Sequence, residues 1–139
     1  MTKTQVEYWK DFKQSPENKR TLLLFYSGNF VRTFERDASF LSARFGFNIR
    51  KFKEYRMVGF PKDAESKYLS QLRDSGYGYQ LVEVREEGLH VVYSSQGDRP
   101  LAFDERDLRF VPVVEEKGKD TDFKNFLKDF QVLAGKYLE

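Results

Sequence analysis

The sequence predicts an α/β domain in which short strands alternate with helices. Three observations carry that expectation. The run Leu22-Leu23-Leu24-Phe25-Tyr26 is unbroken and apolar, with the length and composition of a buried strand. It stops at Ser27-Gly28-Asn29, where Gly or Asn takes positive φ cheaply, and Phe30, Arg32 and Phe34 then alternate with Val31 and Thr33 as a second strand does. Glu35-Arg36-Asp37 lead into a helical pattern, and strand and helix signals go on alternating downstream. This arrangement puts Phe30 just past a tight turn, at the edge of the sheet. A large apolar side chain there either packs under a neighbouring element or projects outward to meet a partner.

The other elements follow from the same patterns. Thr4-Gln5-Val6-Glu7 has the capping-box form, and Val6, Trp9 and Phe12 continue at roughly helical spacing until Ser15-Pro16 ends the helix. Ala38, Leu41 and Phe45 form a second helical stripe, with Gly46 as its C-cap. From Phe47 to Phe52 the chain alternates: Phe47, Ile49 and Lys51 point one way, Asn48, Arg50 and Phe52 the other. Arg56 to Phe60 reads as a short strand closed by Pro61, and a third helix runs from about Asp63 to Ser75, with Gly76 as its stop. Tyr77 to Val84 reads as a strand, and Glu86-Glu87-Gly88 as a turn into Leu89-His90-Val91-Val92-Tyr93. Beyond a polar loop, Ser94 to Pro100, lie two weaker strand signals, Leu101-Ala102-Phe103 and Leu108 to Val111. Residues 1–114 therefore form one module. Residues 115–139 add a charged linker and an amphipathic helix, whose Phe123, Phe126, Phe130 and Leu133 share one face. That helix is expected to pack on the body, on a partner protein or on a second copy.

At 139 residues one domain with a proper core is expected. Aromatics reach 17 %, and an aromatic core or base-stacking surfaces would each use them. The formal charge of +2 is too small to advertise nucleic-acid binding, so any basic surface must come from local clustering. The absence of cysteine excludes disulfides, thiolate metal sites and cysteine nucleophiles. Met1 to Asp11 is polar and no apolar run approaches the ~20 residues that span a bilayer, so a cytoplasmic protein without membrane contact is expected.

Little in the chain points to catalysis. His90 has no partners at metal or catalytic spacing and reads as structural, and Asp104, Glu105 and Asp107 read as a turn. Gly76-Tyr77-Gly78 follows a helix and lacks a phosphate-loop Lys. No enzyme activity, metal or cofactor is expected. Basic residues do cluster in the first half, at Arg32, Arg36, Arg44, Arg50, Lys51, Lys53 and Arg56, with Phe30, Phe47 and Phe52 between them. The cluster suits either a solvated face or a nucleic-acid surface.

The stretch Leu22 to Ala38 resembles the first strands of the N-terminal mismatch-recognition domain, domain I, of the MutS DNA mismatch repair proteins. Gly28, Asn29, Phe30, Phe34, Asp37 and Ala38 fall at the family's places. Tyr8 and Pro16 match the preceding helix. Met57-Val58-Gly59-Phe60-Pro61 is similar to the family's Met-Ala-Gly-Ile/Val-Pro, and Ala64, Tyr68, Leu69, Leu72 and Gly76 keep the spacing of the next helix. Glu83 stands where the family has the Glu of a Cys-Glu-Gln strand. The likeness covers roughly residues 4–84, and residues from Arg85 onward do not resemble the family's connector, so a stand-alone module without clamp or ATPase is expected.

The resemblance implies a mixed sheet flanked by helices, in agreement with the element order above. It also implies DNA as partner, as mismatched or distorted duplex. In the family a Phe wedges beside the mispaired base from the minor groove and a Glu two residues on hydrogen-bonds that base. Phe30 holds the Phe place, but Arg32 holds the Glu place, and a guanidinium donates where a carboxylate accepts. The expected DNA-binding residues are Phe30 as wedge, Arg32 and Asn29 beside it, and Arg36, Arg50, Lys51, Lys53 and Arg56 on phosphates. The alternative is a protein-interaction module that kept the fold and lost the DNA.

Overall fold

A computed structural model of the chain describes residues 3–111. The expected C-terminal helix and its linker lie outside the described residues. Helix α1, Gln5–Gln14, starts on a capping box: the Glu7 amide donates to the Thr4 hydroxyl at 3.2 Å and the Thr4 amide to the Glu7 carboxylate at 3.1 Å. Strands β1, Thr21–Ser27, and β2, Phe30–Phe34, form the expected hairpin and pass into α2, Glu35–Phe45. Gly46 closes α2 in the left-handed region at φ 79°. A second hairpin follows, β3, Asn48–Phe52, and β4, Tyr55–Pro61, then helix α3, Glu65–Asp74. Asp63 and Ala64, expected to open that helix, instead belong to a tighter 3₁₀ turn, Lys62–Ala64, after Pro61. The chain continues through β5, Gly78–Arg85, and β6, Gly88–Ser95, to a two-residue strand β7, Arg109–Phe110.

The strands lie in the order β6-β5-β1-β2-β4-β3-β7. β1 pairs with β5 in parallel, as β3 does with β7, and the other pairings are antiparallel, so the sheet is mixed as expected. Register sets the two faces. Leu22, Leu24, Val31, Val58 and Phe60 are buried on one face, where α2 and α3 pack. Phe47 belongs to this core, stacked on Phe60 and edge-on to Tyr68, and not to any nucleic-acid surface. The other face carries Phe25, Arg32, Phe34, Met57 and Phe52. Phe25, Phe34, Phe40 and Phe60 are fully buried, each contributing about 1.5–3 kcal/mol.

Leu101-Ala102-Phe103 is not a strand. Pro100 supplies no N–H, and of the three residues only Leu101 is buried in the core. The loop before it docks by backbone contact: a Cβ on Gly97 would lie 2.4 Å from the Gly78 nitrogen and 2.5 Å from the Gly76 oxygen. Gly76-Tyr77-Gly78 therefore accepts a loop of its own chain. Among the described residues no helix is long and apolar enough to cross a membrane.

Candidate nucleic-acid interface

Ser27 and Phe30 pair across the two-residue loop Gly28-Asn29. Gly28 takes φ 58° and Asn29 does not have positive φ, the pattern of a turn with Gly first, whose twist suits a hairpin. The Asn29 carbonyl accepts the Lys62 amide at 2.8 Å, tying the loop to the end of β4. Phe30 is not at the lateral edge expected from the sequence, because β2 has β1 on one side and β4 on the other. It stands instead at the end of an interior strand, half-buried against the core.

The face below Phe30 is built by register. Arg32 lies opposite Gly59, which has no side chain, and Phe34, Met57 and Arg50 form the next row across β2, β4 and β3. Phe52 and Tyr55 pair in the row after it. Arg32 Nε donates to Gln5 Oε1 at 2.7 Å, and Gln5 Nε2 donates to the Tyr26 carbonyl at 2.9 Å. The same guanidinium approaches Met57 Sδ at 3.6 Å and lies 4.8 Å from the Phe52 ring centre and 5.3 Å from that of Phe34. Burial lowers its pKa from the ordinary value, yet an arginine starts so high that it stays charged. Lys53 lies 5.7 Å from the Phe52 ring, and Lys10 lies 4.6 Å from that of Tyr55. No strand residue on this face of β2, β4 and β3 is acidic. Phe34 is fully buried, so the rings able to meet a base are the half-buried Phe30, Phe52 and Tyr55, and the cations beside them can hold phosphates.

The structure does not gather all the expected residues there. Phe30, Arg32 and Arg50 share the face, Lys53 and Asn29 stand in loops at its two ends, and Lys51 and Arg56 point to the opposite face. Arg56 is held by Ser39 Oγ at 2.9 Å and lies over Phe110. Arg36 sits in the first turn of α2, over Phe103, at the far end of β2. Beside the Gly28 turn on the β5 side cations and carboxylates are mixed: the Tyr26 hydroxyl donates to Glu65, Lys62 lies 4.7 Å from the Tyr26 ring centre, and Glu83 pairs with Arg85 at 2.7 Å.

The model of MutS domain I matches residues 4–95, which include every strand of this face and the turn that presents Phe30. The chain belongs to the MutS domain I family. It is 35 % identical over 75 residues to the DNA mismatch repair protein MutS of Petrotoga mobilis, a stretch covering 54 % of this chain and 9 % of that protein. The match takes in β6, eleven residues beyond the likeness seen in the sequence alone, which ended near Val84.

Within this MutS domain I chain, Gln5 and Tyr55 are the site residues that sequence reasoning missed. Nothing in the sequence links Gln5 to Arg32, 27 positions on. Tyr55 had a signal, since it lies two positions before Met57 and so shares its face.

Proposed function

We propose that this MutS domain I module binds duplex DNA without catalysis, through the β2–β4–β3 face, with Phe30 as the wedge. The observation that supports the reading is the placing of Phe30, Arg32, Arg50 and Phe52 on one face without a strand carboxylate. Unstacking a base step costs a few kcal/mol, least where the pair is already mismatched, so a Phe wedge favours mismatched or distorted duplex. Arg50 and Lys53 hold phosphates, and Arg32, its Nε engaged by Gln5, adds charge with little choice among mispairs.

Fluorescence anisotropy with matched and mismatched duplexes at one fixed salt tests this. Phe30→Ala should weaken the mismatched complex more than the matched one, and Arg32→Glu should weaken both. Arg50→Ala should lower affinity uniformly, and a separate titration over several salt concentrations should show its salt slope reduced by about one. If the wild type binds no duplex even at low salt, the reading fails.

One observation favours the alternative of a protein-interaction module. Arg32 is already engaged by Gln5, Met57 and Phe52, as a structural residue would be. Under that reading Phe30 is a contact for a protein partner, and neither Phe30→Ala nor Arg32→Glu changes DNA binding.

A further inference from the structure

At the opposite end of β1 from the Gly28 turn, about 20 Å away at ~3.3 Å per strand residue, lies a cleft of about 450 Å³. Trp9 and Lys13 of α1, Lys19 and Arg20 before β1, Arg36 and Asp37 of α2, and the 100–102 segment line it. The lining holds four cations and one carboxylate. Lys13 and Asp37 neutralise each other at 2.9 Å, so the surplus is Lys19, Arg20 and Arg36. Arg20 spends one nitrogen on the Asp98 carbonyl at 2.9 Å, Arg36 lies over the Phe103 ring, and no side-chain partner among the described residues takes Lys19.

We propose that this cleft binds a phosphomonoester carried on a flat ring, that is, a nucleotide or the 5′-phosphate end of a nucleic-acid strand. Two guanidinium forks and an ammonium match the oxygens of a phosphate dianion. Trp9, Pro100, Leu101 and Ala102 offer an apolar wall, and the volume is in the range of small-molecule sites. It equals about fifteen waters at ~30 Å³ each, far more than a bare phosphate occupies. The cleft uses none of the residues on the wedge face, since Arg36, expected from the sequence among the DNA-binding residues, sits at the far end of β2. The inference therefore stands whether or not duplex binding does.

The cleft holds the single tryptophan of the chain, so Trp9 fluorescence reports occupancy directly. The full chain is titrated with adenosine monophosphate, adenosine, and a short single strand with and without a 5′-phosphate, and equilibrium dialysis repeats each measurement independently of fluorescence. Adenosine monophosphate should bind saturably, adenosine should not, and the double variant Lys19→Ala/Arg36→Ala should lose at least tenfold in affinity. Both side chains are exposed, so the variant should fold, and far-ultraviolet circular dichroism verifies it. Preference for the 5′-phosphorylated strand over adenosine monophosphate identifies strand ends as the source, and the reverse identifies free nucleotide. No saturable binding by dialysis, adenosine bound as tightly as its phosphate, or affinity undiminished in a folded double variant each overturns the assignment. Duplex without terminal phosphates tests the wedge face separately.

Discussion

Arg32 on β2 reaches across β4 and lays its guanidinium 4.8 Å from the ring centre of Phe52 on β3. The contact joins two strands that do not pair. A half-desolvated cation–π contact is worth about 0.5–2 kcal/mol. In a double-mutant cycle with Arg32→Met and Phe52→Leu, a coupling energy in that range is expected from urea denaturation. Arg32→Lys loses the Nε–Gln5 bond, so it should not behave as a conservative change. Zero coupling would mean that the ring and the cation merely lie close.

Asp37 is 1 % exposed, with Lys13 Nζ 2.9 Å from Oδ1 and the Leu23 amide and Trp9 Nε1 each 3.0 Å from Oδ2. Burial raises its pKa above the ordinary carboxylate value, opposed by Lys13 and these donors. Lys13→Met leaves the carboxylate buried and unpaired, at a cost of about 3–5 kcal/mol near neutral pH. With a folded pKa above the unfolded value of ~3.9, the folded state holds a proton that the unfolded state has lost. Stability therefore falls as pH rises from the unfolded pKa through the folded one. Below that interval Asp37 is neutral in both states. The gap between wild type and Lys13→Met, measured in urea, should narrow from pH 7 to pH 4. A gap that does not change with pH would sink this account.

Gly97→Ala should be among the most damaging single-methyl additions in the described fold. The new Cβ would meet three backbone atoms at 2.4–2.5 Å, none of which can turn aside as a side chain does. Overpacking of this kind costs about 1–3 kcal/mol. Thermal unfolding should show a clearly lowered Tm. The same change should disturb the 450 Å³ cleft, since Pro100, Leu101 and Ala102 of its lining begin three positions on.

Lys53 takes φ 57° in the loop between β3 and β4, a conformation that costs a non-glycine residue about 1 kcal/mol or more. Lys53→Gly should therefore stabilise the fold. Because the ammonium beside Phe52 is lost, the same variant should bind duplex more weakly under the proposed function. A stabilised variant with unchanged DNA affinity would remove Lys53 from the interface.

Much of this fold was legible locally. The capping box at Thr4 and Glu7, the Gly28 turn, the Gly46 cap and the alternation from Asn48 to Phe52 all appear as expected. Each depends on residues within four positions of one another, where backbone preference and side-chain period act without help from the rest of the chain. The family motifs around Phe30 and Met57 are equally local and mark the family without reference to any strand pairing.

The pairing of distant segments was not written in those patterns. An apolar run says that a strand is buried but not which strand lies beside it. The parallel pairing of Thr21 with Gly78 joins residues 57 positions apart and turns a hairpin into a mixed sheet. For the same reason Phe30 moved from an expected sheet edge to the end of an interior strand, and the basic residues divided between two faces and a cleft at the far end. A charge on a strand shows its face only once the register is set, because a shift of one residue exchanges the faces. Arg32 shows this most plainly. Its sequence position marks it as the departure from the family pattern, and only the packing of α1 and β3 around it supplies Gln5 and Phe52 as its partners.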